Sequence, residues 1–128
     1  MNFSNTLMEQ LQMQVVEANK DQVVMEMPVG PHNRQPMGFL HGGASVALAE
    51  TAASIGGNLH ADPATQNVFG LEINANHIRS VRSGIVTAVA SPIHVGKSTM
   101  VWQISISDEN EDLLCIARCT LAVKTRRQ

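Results

Sequence analysis

One long helix, predicted from His41 to Leu59, constrains what this chain can fold into. Apolar side chains recur there at steps of three and four residues, which places them on one stripe: Ala44, Leu48, Ala52, Ile55 and Leu59. An ordinary surface helix would carry charges along its other side. Leaving histidines aside, the only charged residue in this helix is Glu50, which lies away from the apolar stripe. We therefore expect a helix buried nearly all round, with one carboxylate that needs a partner or a chemical role.

Alternating apolar and polar residues predict five or six strands around this helix. Before the helix, the alternation indicates a hairpin over residues 11–15 and 23–27. After it, the period of two returns in four stretches, 71–75, 85–89, 100–106 and 113–123. Parallel strands would need repeated crossover connections, which a single long helix does not supply. We therefore expect an α+β fold in one domain, residues 1–128, with an antiparallel sheet wrapped round the central helix.

Local signals set the expected boundaries of these elements. Thr6 and Glu9 form a capping-box pattern, which predicts a short helix ending near Gln10. The loop 28–36 leads into the long helix, and the run 56–58, Gly-Gly-Asn, predicts where that helix stops. The acidic run 108–112 is typical of a solvated hairpin loop rather than a metal site.

Charge and composition give no reason to expect nucleic acid as a partner. The formal net charge is −2, the pI is near 6.2 and aromatic residues make up 3% of the chain. Such a chain has neither the basic surface nor the stacking side chains that nucleic-acid binding needs. Most of the Lys and Arg residues follow residue 78. That bias leaves open either a local phosphate site or only a solvated surface.

The sequence favours a cytoplasmic protein without metal or cofactor. Cys115 and Cys119 lie in one predicted strand, about 13 Å apart at 3.3 Å per residue, which is too far for a disulfide. Reduced thiols suit the cytoplasm, and the N-terminus, with Glu9 and no basic residue before Lys20, does not resemble a signal peptide. The polar content of the long helix argues against a membrane span. The five histidines show no helical pair or Cys-rich spacing that would hold a metal.

The start of the long helix is suited to developing negative charge. Gly42 and Gly43 stand where unpaired N–H groups and the helix dipole attract an anion. Acyl transfer needs such donors for an oxyanion, together with a carboxylate that attacks or activates water. Gly42 and Glu50 are about 12 Å apart along the helix, so one substrate carbonyl cannot contact both within one chain. If the pattern is catalytic, the active unit is a dimer of antiparallel helices with two shared sites.

Each candidate residue also has an ordinary structural explanation. Glu50 could face solvent, as most glutamates in the middle of a helix do, and His41 could serve only to start the helix. Gln35 lies in a proline-bounded loop, where polar residues are common. Ser54, one turn after Glu50, could be a packing residue or could hold a water for the carboxylate. The residues alone leave these alternatives open.

Two longer patterns resemble a known enzyme family. The first is Gln35-Pro36, then Gly38-Phe39-Leu40-His41-Gly42-Gly43-Ala44, followed by Ala49-Glu50. The second is the run from Gly70 to Arg79, with Ser83-Gly84 after it. Together they resemble the hotdog-fold acyl-CoA thioesterases. More narrowly, they resemble the branch containing the 4-hydroxybenzoyl-CoA (Arthrobacter-type), phenylacetate-pathway and 1,4-dihydroxy-2-naphthoyl-CoA thioesterases, over a region from about Val24 to Val123.

The resemblance implies a hotdog-fold enzyme that hydrolyses an acyl-CoA, with an aromatic or medium-sized acyl group, to the free acid and CoA. Glu50 would be the nucleophile or the general base, and Gly42 would donate its backbone N–H to the thioester carbonyl. Ser54 would help to place the hydrolytic water. Gln35 and His41 would lie near the thioester in the protomer opposite Glu50.

The resemblance also implies how the rest of the substrate is held. Contacts with the pantetheine and phosphates of CoA would come from five residues: His77, Arg79, Arg82, Lys97 and Ser98. Met37, Phe39 and Val68, together with a second protomer, would shape the acyl pocket. Members of this branch are tetramers built from two dimers, so we expect a homotetramer with no membrane partner. The N-terminal segment is shorter than in many relatives, where it helps to wall the pocket, which leaves the acyl group open.

Two other functions stay open at this stage. Residues 72–77 partly resemble the Asp-x-Asn-Pro-x-His motif of enoyl-CoA hydratases on the same fold, although the Asp and the Pro are replaced. The chain could also bind or sense acyl-CoA without catalysis, because a fold does not by itself imply an activity. Release of thiol from an acyl-CoA would distinguish the hydrolase from both.

Overall fold

The computed structural model describes residues 1–127, which form one antiparallel sheet around a central helix. In chain order the elements are α1 Leu7–Gln10, β1 Gln14–Ala18, β2 Val23–Pro28, α2 Gly42–His60, β3 Gln66–His77, β4 Ile85–Val95, β5 Thr99–Ser107 and β6 Leu113–Thr125. The strand order is β1-β2-β4-β5-β6-β3, and every neighbouring pair is antiparallel. The sheet curls round α2, which packs against β2 and all four later strands. The predicted architecture is confirmed.

The core lies between α2 and the inner face of the sheet. On β5 the alternation is complete, since Met100, Trp102, Ile104 and Ile106 are buried and the residues between them are not. Successive side chains of a strand point to opposite faces, so this period of two places one half of each strand against the helix. Apart from Trp102, Cys115 and Cys119, the buried core consists of aliphatic side chains and methionines.

The helix runs past the glycines that were expected to stop it. It spans Gly42–His60, so the predicted range from His41 to Leu59 is confirmed to within one residue at each end, but Gly56, Gly57 and Asn58 lie inside the helix and the prediction that they stop it is wrong. A Cβ at Gly56 would collide with the Trp102 ring, and one at Gly57 would collide with Leu121. These two glycines therefore let the helix approach β5 and β6 closely, and the stability that glycine costs inside a helix is offset by this packing.

The N-terminal elements follow the predicted order with one shift in position. Thr6 caps α1 as predicted, with its hydroxyl accepting a hydrogen bond from the Glu9 N–H at 3.4 Å. The first strand was expected to include Leu11 and Met13, but β1 begins only at Gln14. The Met13 N–H donates to the Met8 carbonyl, so this segment still belongs to the turn that closes α1.

The sheet has two free edges of very different length. β1, five residues long, forms one edge, and β3, twelve residues long, forms the other. The ladder between β3 and β6 shifts register between Gly70 and Glu72, which makes Leu71 a bulge. Phe69 and Leu71 are exposed on this edge strand. A long edge with exposed apolar side chains is a template for pairing with another strand.

Candidate active site

Glu50 lies in the middle of α2 and its carboxylate meets the edge strand β3. The side chain is half-buried, and Oε2 is 2.5 Å from the position that a Cβ at Gly70 would take. Among residues 1–127, no hydrogen-bond donor and no cation pairs with this carboxylate. The side chain is therefore less exposed than that of an ordinary surface glutamate. Glu50 is a partly desolvated carboxylate at an open edge of the sheet.

The other end of the site is the start of α2. The His41 imidazole caps the helix, because its Nδ1 accepts a hydrogen bond from the Gly43 N–H at 2.8 Å. The His41 carbonyl accepts from the N–H groups of Ala44 and Ser45. Within the described part of the chain, the Gly42 N–H is left without an acceptor. It is the donor that an oxyanion could use.

A cleft of about 220 Å³ opens at this end of the helix. Five of the predicted site residues line it: Gln35, Phe39, Gly42, His77 and Arg79. Ser45 and Ser80 line it as well and were not predicted. His41 lies outside this cleft and borders a second cavity of about 300 Å³, between α1 and α2. The cleft thus brings together five of the thirteen predicted site residues.

Gln35 is held in a fixed orientation by its own loop. Its side-chain oxygen accepts hydrogen bonds from the N–H groups of Met37 at 2.6 Å and Phe39 at 3.3 Å. Gly38 adopts a φ of 91° within this turn, a conformation that glycine tolerates best. With the oxygen occupied, the amide NH₂ of Gln35 is the group left to donate into the cleft. The Met37 side chain itself is exposed.

The two arginines near the cleft have different surroundings. The Arg82 guanidinium lies 4.0 Å from the Phe39 ring centroid, and its Nη1 donates to the Met37 carbonyl at 3.1 Å. Arg82 therefore clamps the 35–39 loop through a cation–π contact and a hydrogen bond. Within residues 1–127 the only partner of the Arg79 side chain is Asp112, in a 3.5 Å ion pair whose two side chains are largely exposed. Such a pair is weak, so Arg79 is the arginine more available to a phosphate.

Three predicted binding residues lie at the opposite end of the chain's own helix. Val68 packs beside Gly57, far along α2 from Gly42. Lys97 and Ser98 form the turn between β4 and β5, and the Ser98 carbonyl accepts from the N–H of Val123, which pairs with Val68. Ser54, half-buried and one turn after Glu50, lies between these two ends. Within one chain, these residues do not share the cleft with Gln35 and Gly42.

Two residues near Glu50 were missed by the sequence reasoning. Cys119 is fully buried on β6; burial, with smaller contributions from Glu50 and then Glu72, raises the pKa of its thiol to about 11. Cys119 therefore stays a neutral thiol at neutral pH, and thiolate chemistry is not what this site offers. The other is Gly70. A single glycine inside a strand pattern is a signal for a bulge or a close approach, and could have identified it.

The structure does not assemble the hydratase-like motif. Glu72 and His77 are an odd number of residues apart on β3, which places them on opposite faces of the sheet. The Glu72 carboxylate accepts from the Asn74 side chain at 3.0 and 3.2 Å, whereas the His77 ring lies against Gly42. The partial resemblance in residues 72–77 therefore does not correspond to one constellation.

Among residues 1–127, no three His, Cys, Asp or Glu side chains cluster closely enough to hold a metal ion. Over the same residues, neither helix has the length and apolar character needed to cross a bilayer.

Comparisons with known proteins agree on one family for this chain. Residues 37–115 match the model of the thioesterase superfamily. A 1,4-dihydroxy-2-naphthoyl-CoA hydrolase of Listeria monocytogenes is 52% identical over 122 residues, covering 95% of this chain and 98% of that protein.

Two solved structures have nearly the same fold. A mutant form of the thioesterase PA1618 from Pseudomonas aeruginosa superimposes with a TM-score of 0.93 at 42% identity, covering 95% of this chain and 88% of the other. A mutant of SAV0944 from Staphylococcus aureus superimposes with a TM-score of 0.92 at 46% identity, covering 94% and 99%. With its six-stranded antiparallel sheet around one helix, this chain belongs to the thioesterase superfamily and is a hotdog-fold thioester hydrolase.

Proposed function

We propose that this enzyme hydrolyses an acyl-CoA thioester, with Glu50 as nucleophile or general base and the Gly42 N–H of a second copy as oxyanion donor. The observation that carries this proposal is the Glu50 carboxylate, half-buried and without a partner in residues 1–127, at the open edge of the sheet. The free N–H of Gly42 is about 12 Å away along the same helix. Each chain thus carries both groups, but they are too far apart to act on the same carbonyl.

The free edge of β3 offers a way to bring the two groups together. Within one chain, Gly70 lies at Glu50 and His77 lies at Gly42. If two β3 strands pair antiparallel about a twofold axis at Asn74, with the bulged Leu71 left out of the ladder on both strands, Gly70 of each copy comes opposite His77 of the other. Each Glu50 would then meet the start of the other copy's α2, which gives two equivalent sites.

The same pairing would distribute the CoA-binding residues between the two copies. Val68 of one copy comes opposite Arg79 of the other, and the turn with Lys97 and Ser98 borders Val123, the residue of β6 that pairs with Val68. Arg79 and Lys97 from different chains would then be close enough to share the phosphates of one CoA. This arrangement accounts for the separation of these residues within a single chain.

The chemistry can follow either of two routes, which the geometry leaves open. As a general base, Glu50 takes a proton from water while the water oxygen attacks the thioester carbonyl carbon. As a nucleophile, a Glu50 oxygen attacks the carbon itself, CoA leaves, and water then hydrolyses the mixed anhydride. In both, the carbonyl oxygen gains the electron pair and accepts from Gly42, with the Gln35 amide as a second donor. The C–S bond then breaks, and the CoA sulfur leaves as a thiolate that takes up a proton.

The relatives support the proposed class of acyl group and the choice of Gln35 and Glu50 as site residues. The Listeria relative is named for an aromatic acyl-CoA, and we propose an aromatic or medium-sized acyl group for this enzyme. Variants of SAV0944 have been crystallised with alanine at a glutamine and at a glutamate. Those two residues are separated by the same number of positions as Gln35 and Glu50.

The domain organisation, assembly and cellular location of the enzyme are also proposed. We propose that residues 1–128 act as one domain in a homotetramer of two such dimers, located in the cytoplasm. Both cysteines are buried and free, which suits a reducing compartment.

Thiol release from a panel of aryl-CoA and fatty-acyl-CoA substrates tests the proposal. We expect Glu50→Ala and Glu50→Gln to fold and to lose on the order of 10² or more in kcat, the scale for a missing acid or base. Glu26→Gln, which changes a half-buried glutamate on β2, is the control and should keep its activity. Undiminished turnover by Glu50→Ala would exclude the mechanism. Repeated turnover in ¹⁸O-water should label the Glu50 carboxylate in the nucleophilic route when water attacks the Glu50 carboxyl carbon of the anhydride, and should not label it in the general-base route.

A further inference from the structure

We propose that Gly70 is a positioning residue that determines where the Glu50 carboxylate lies. This inference rests on the proposed catalytic role of Glu50 and extends it to a residue on another element. Glu50 Oε2 is 2.5 Å from the position of a Cβ at residue 70, and the Glu50 Cδ and Cγ atoms are 3.2 and 3.7 Å from it. The carboxylate thus occupies the space that any other residue at position 70 would fill.

The pattern of β3 shows why this space exists. Residues facing α2 from this strand pair with inward-facing residues of β6: Val68 with Val123, Gly70 with Leu121 and Ile73 with Cys119. Val68 and Ile73 fill the gap between strand and helix with apolar side chains that pack against the core. Between them, Gly70 leaves one opening. Leu71, as the bulge, allows Gly70 and Ile73 to face the helix although they are three residues apart.

Gly70 differs from the glycines that serve packing alone. Cβ atoms at Gly56 and Gly57 would collide with Trp102 and Leu121 in the buried core. At Gly70 the three nearest atoms all belong to the Glu50 carboxyl end, and the residue itself is exposed. Its φ is outside the left-handed region, where the positive-φ glycines are Gly38 and Gly84. An alanine methyl therefore fits the backbone, and what it displaces is the carboxylate.

A small displacement is enough to matter for this reaction. Contact at ordinary van der Waals distance would move the carboxylate by about 1 Å, a misplacement that typically costs on the order of 10²-fold in rate. Displacing the carboxylate should not weaken substrate binding, because Glu50 is not one of the proposed CoA contacts. We therefore expect Gly70→Ala to lower kcat by about 10- to 100-fold, with little change in KM or melting temperature.

A double-mutant cycle with Glu50→Asp separates positioning from a general structural effect. The aspartate carboxylate is one methylene shorter and withdraws from residue 70, so Gly70→Ala should lower kcat much less in the Glu50→Asp background. Size-exclusion chromatography should show the same assembly for every variant. An equal loss of kcat in both backgrounds, a normal kcat for Gly70→Ala, or altered assembly would each overturn the proposal.

Two further outcomes are also decisive. If Gly70→Ala fails to fold, Gly70→Ala combined with Glu50→Ala should fold, because the group that the methyl strikes is then absent; failure of both would overturn the proposal. If Glu50→Ala itself retains full activity, the proposed function of Glu50 fails first. That result is distinguishable from a failure of Gly70 alone.

Discussion

The His77 imidazole lies against Gly42, with Nε2 at 2.9 Å from the position that a Cβ at residue 42 would occupy. His77 ends β3 and Gly42 begins α2, so this contact joins the end of the edge strand to the start of the central helix. The Gly42 N–H next to it has no acceptor in residues 1–127. A carbonyl oxygen could reach that N–H only because residue 42 has no side chain.

Gly42→Ala should therefore impair catalysis without unfolding the protein. The methyl group would push the His77 ring into the cleft and crowd the approach to the N–H. Loss of one oxyanion-hole donor costs on the order of 10²- to 10³-fold in kcat, and we expect a fall towards that range in thiol-release assays. Gly30→Ala is a matched control, because its methyl would meet only the His32 imidazole, at 3.2 Å. Similar activity losses in the two variants would contradict the role of Gly42.

Substitution should show that Arg79 and Arg82 have different roles. Arg79 is expected to contact a phosphate, and Arg82 to hold the 35–39 loop. We expect Arg79→Ala to raise KM for an acyl-CoA but not for the matching acyl-pantetheine, which lacks the nucleotide phosphates. Arg82→Ala removes the cation–π contact with Phe39, worth about 0.5–1 kcal/mol at an exposed site. It should lower the melting temperature and affect both substrates alike. A rise in KM confined to the acyl-CoA in Arg82→Ala would reverse this assignment.

The architecture could be predicted from the sequence because its signals are local and repeated. One uncharged helical stripe and several runs of period two left an antiparallel sheet round a helix as the simple solution. The role of Gly56 and Gly57 inside α2 could not be predicted in this way. Gly56 and Gly57 have the pattern of a helix C-terminal signal. They are glycines because the helix packs closely there against Trp102 and Leu121, which are distant in the sequence.

The candidate site could be predicted only in part for the same reason. The spacing of Gly42 and Glu50 on one helix already predicted that two copies of the chain are needed if both groups act on one carbonyl. The relationship of Glu50 to Gly70 depends on the register between β3 and β6, including the bulge at Leu71. The clamp that Arg82 forms on Phe39 depends on two loops meeting. Neither contact has a periodic signal along the chain.

The stability of the protein should fall at alkaline pH because of its buried thiols. Burial first, then Glu50 and Glu72, raises the pKa of Cys119 to about 11, and burial raises the pKa of Cys115. An unfolded thiol ionises near pH 8.5, so the unfolded chain loses this proton at lower pH than the folded one. The contribution of Cys119 is complete below about pH 8.5 and is lost as the pH rises through about 11.

Urea unfolding across this pH range measures the effect. We expect Cys119→Ala to be less stable at pH 7, because it leaves a small cavity, yet to depend less on pH above 8.5. Cys115→Ala is the control for loss of a buried thiol on the same strand and away from Glu50. If Cys119→Ala keeps the full alkaline slope, the thiol proton is not its source.

The β3 edge should be the surface on which activity depends. Leu71 is the bulge residue of this edge strand and is 61% exposed; Val16, between the register-shifted residues of the other edge strand, β1, is 57% exposed. A lysine at Leu71 would place a charge where the second copy is proposed to pair, and charges on edge strands oppose pairing. Leu71→Lys should therefore yield monomers by light scattering and lose thiol release, because Glu50 and the other copy's Gly42 no longer meet. Val16→Lys, a matched substitution at the opposite edge, should keep both assembly and activity. An active monomer of Leu71→Lys would show that one chain completes the site alone, contrary to the distance between Gly42 and Glu50 along the helix.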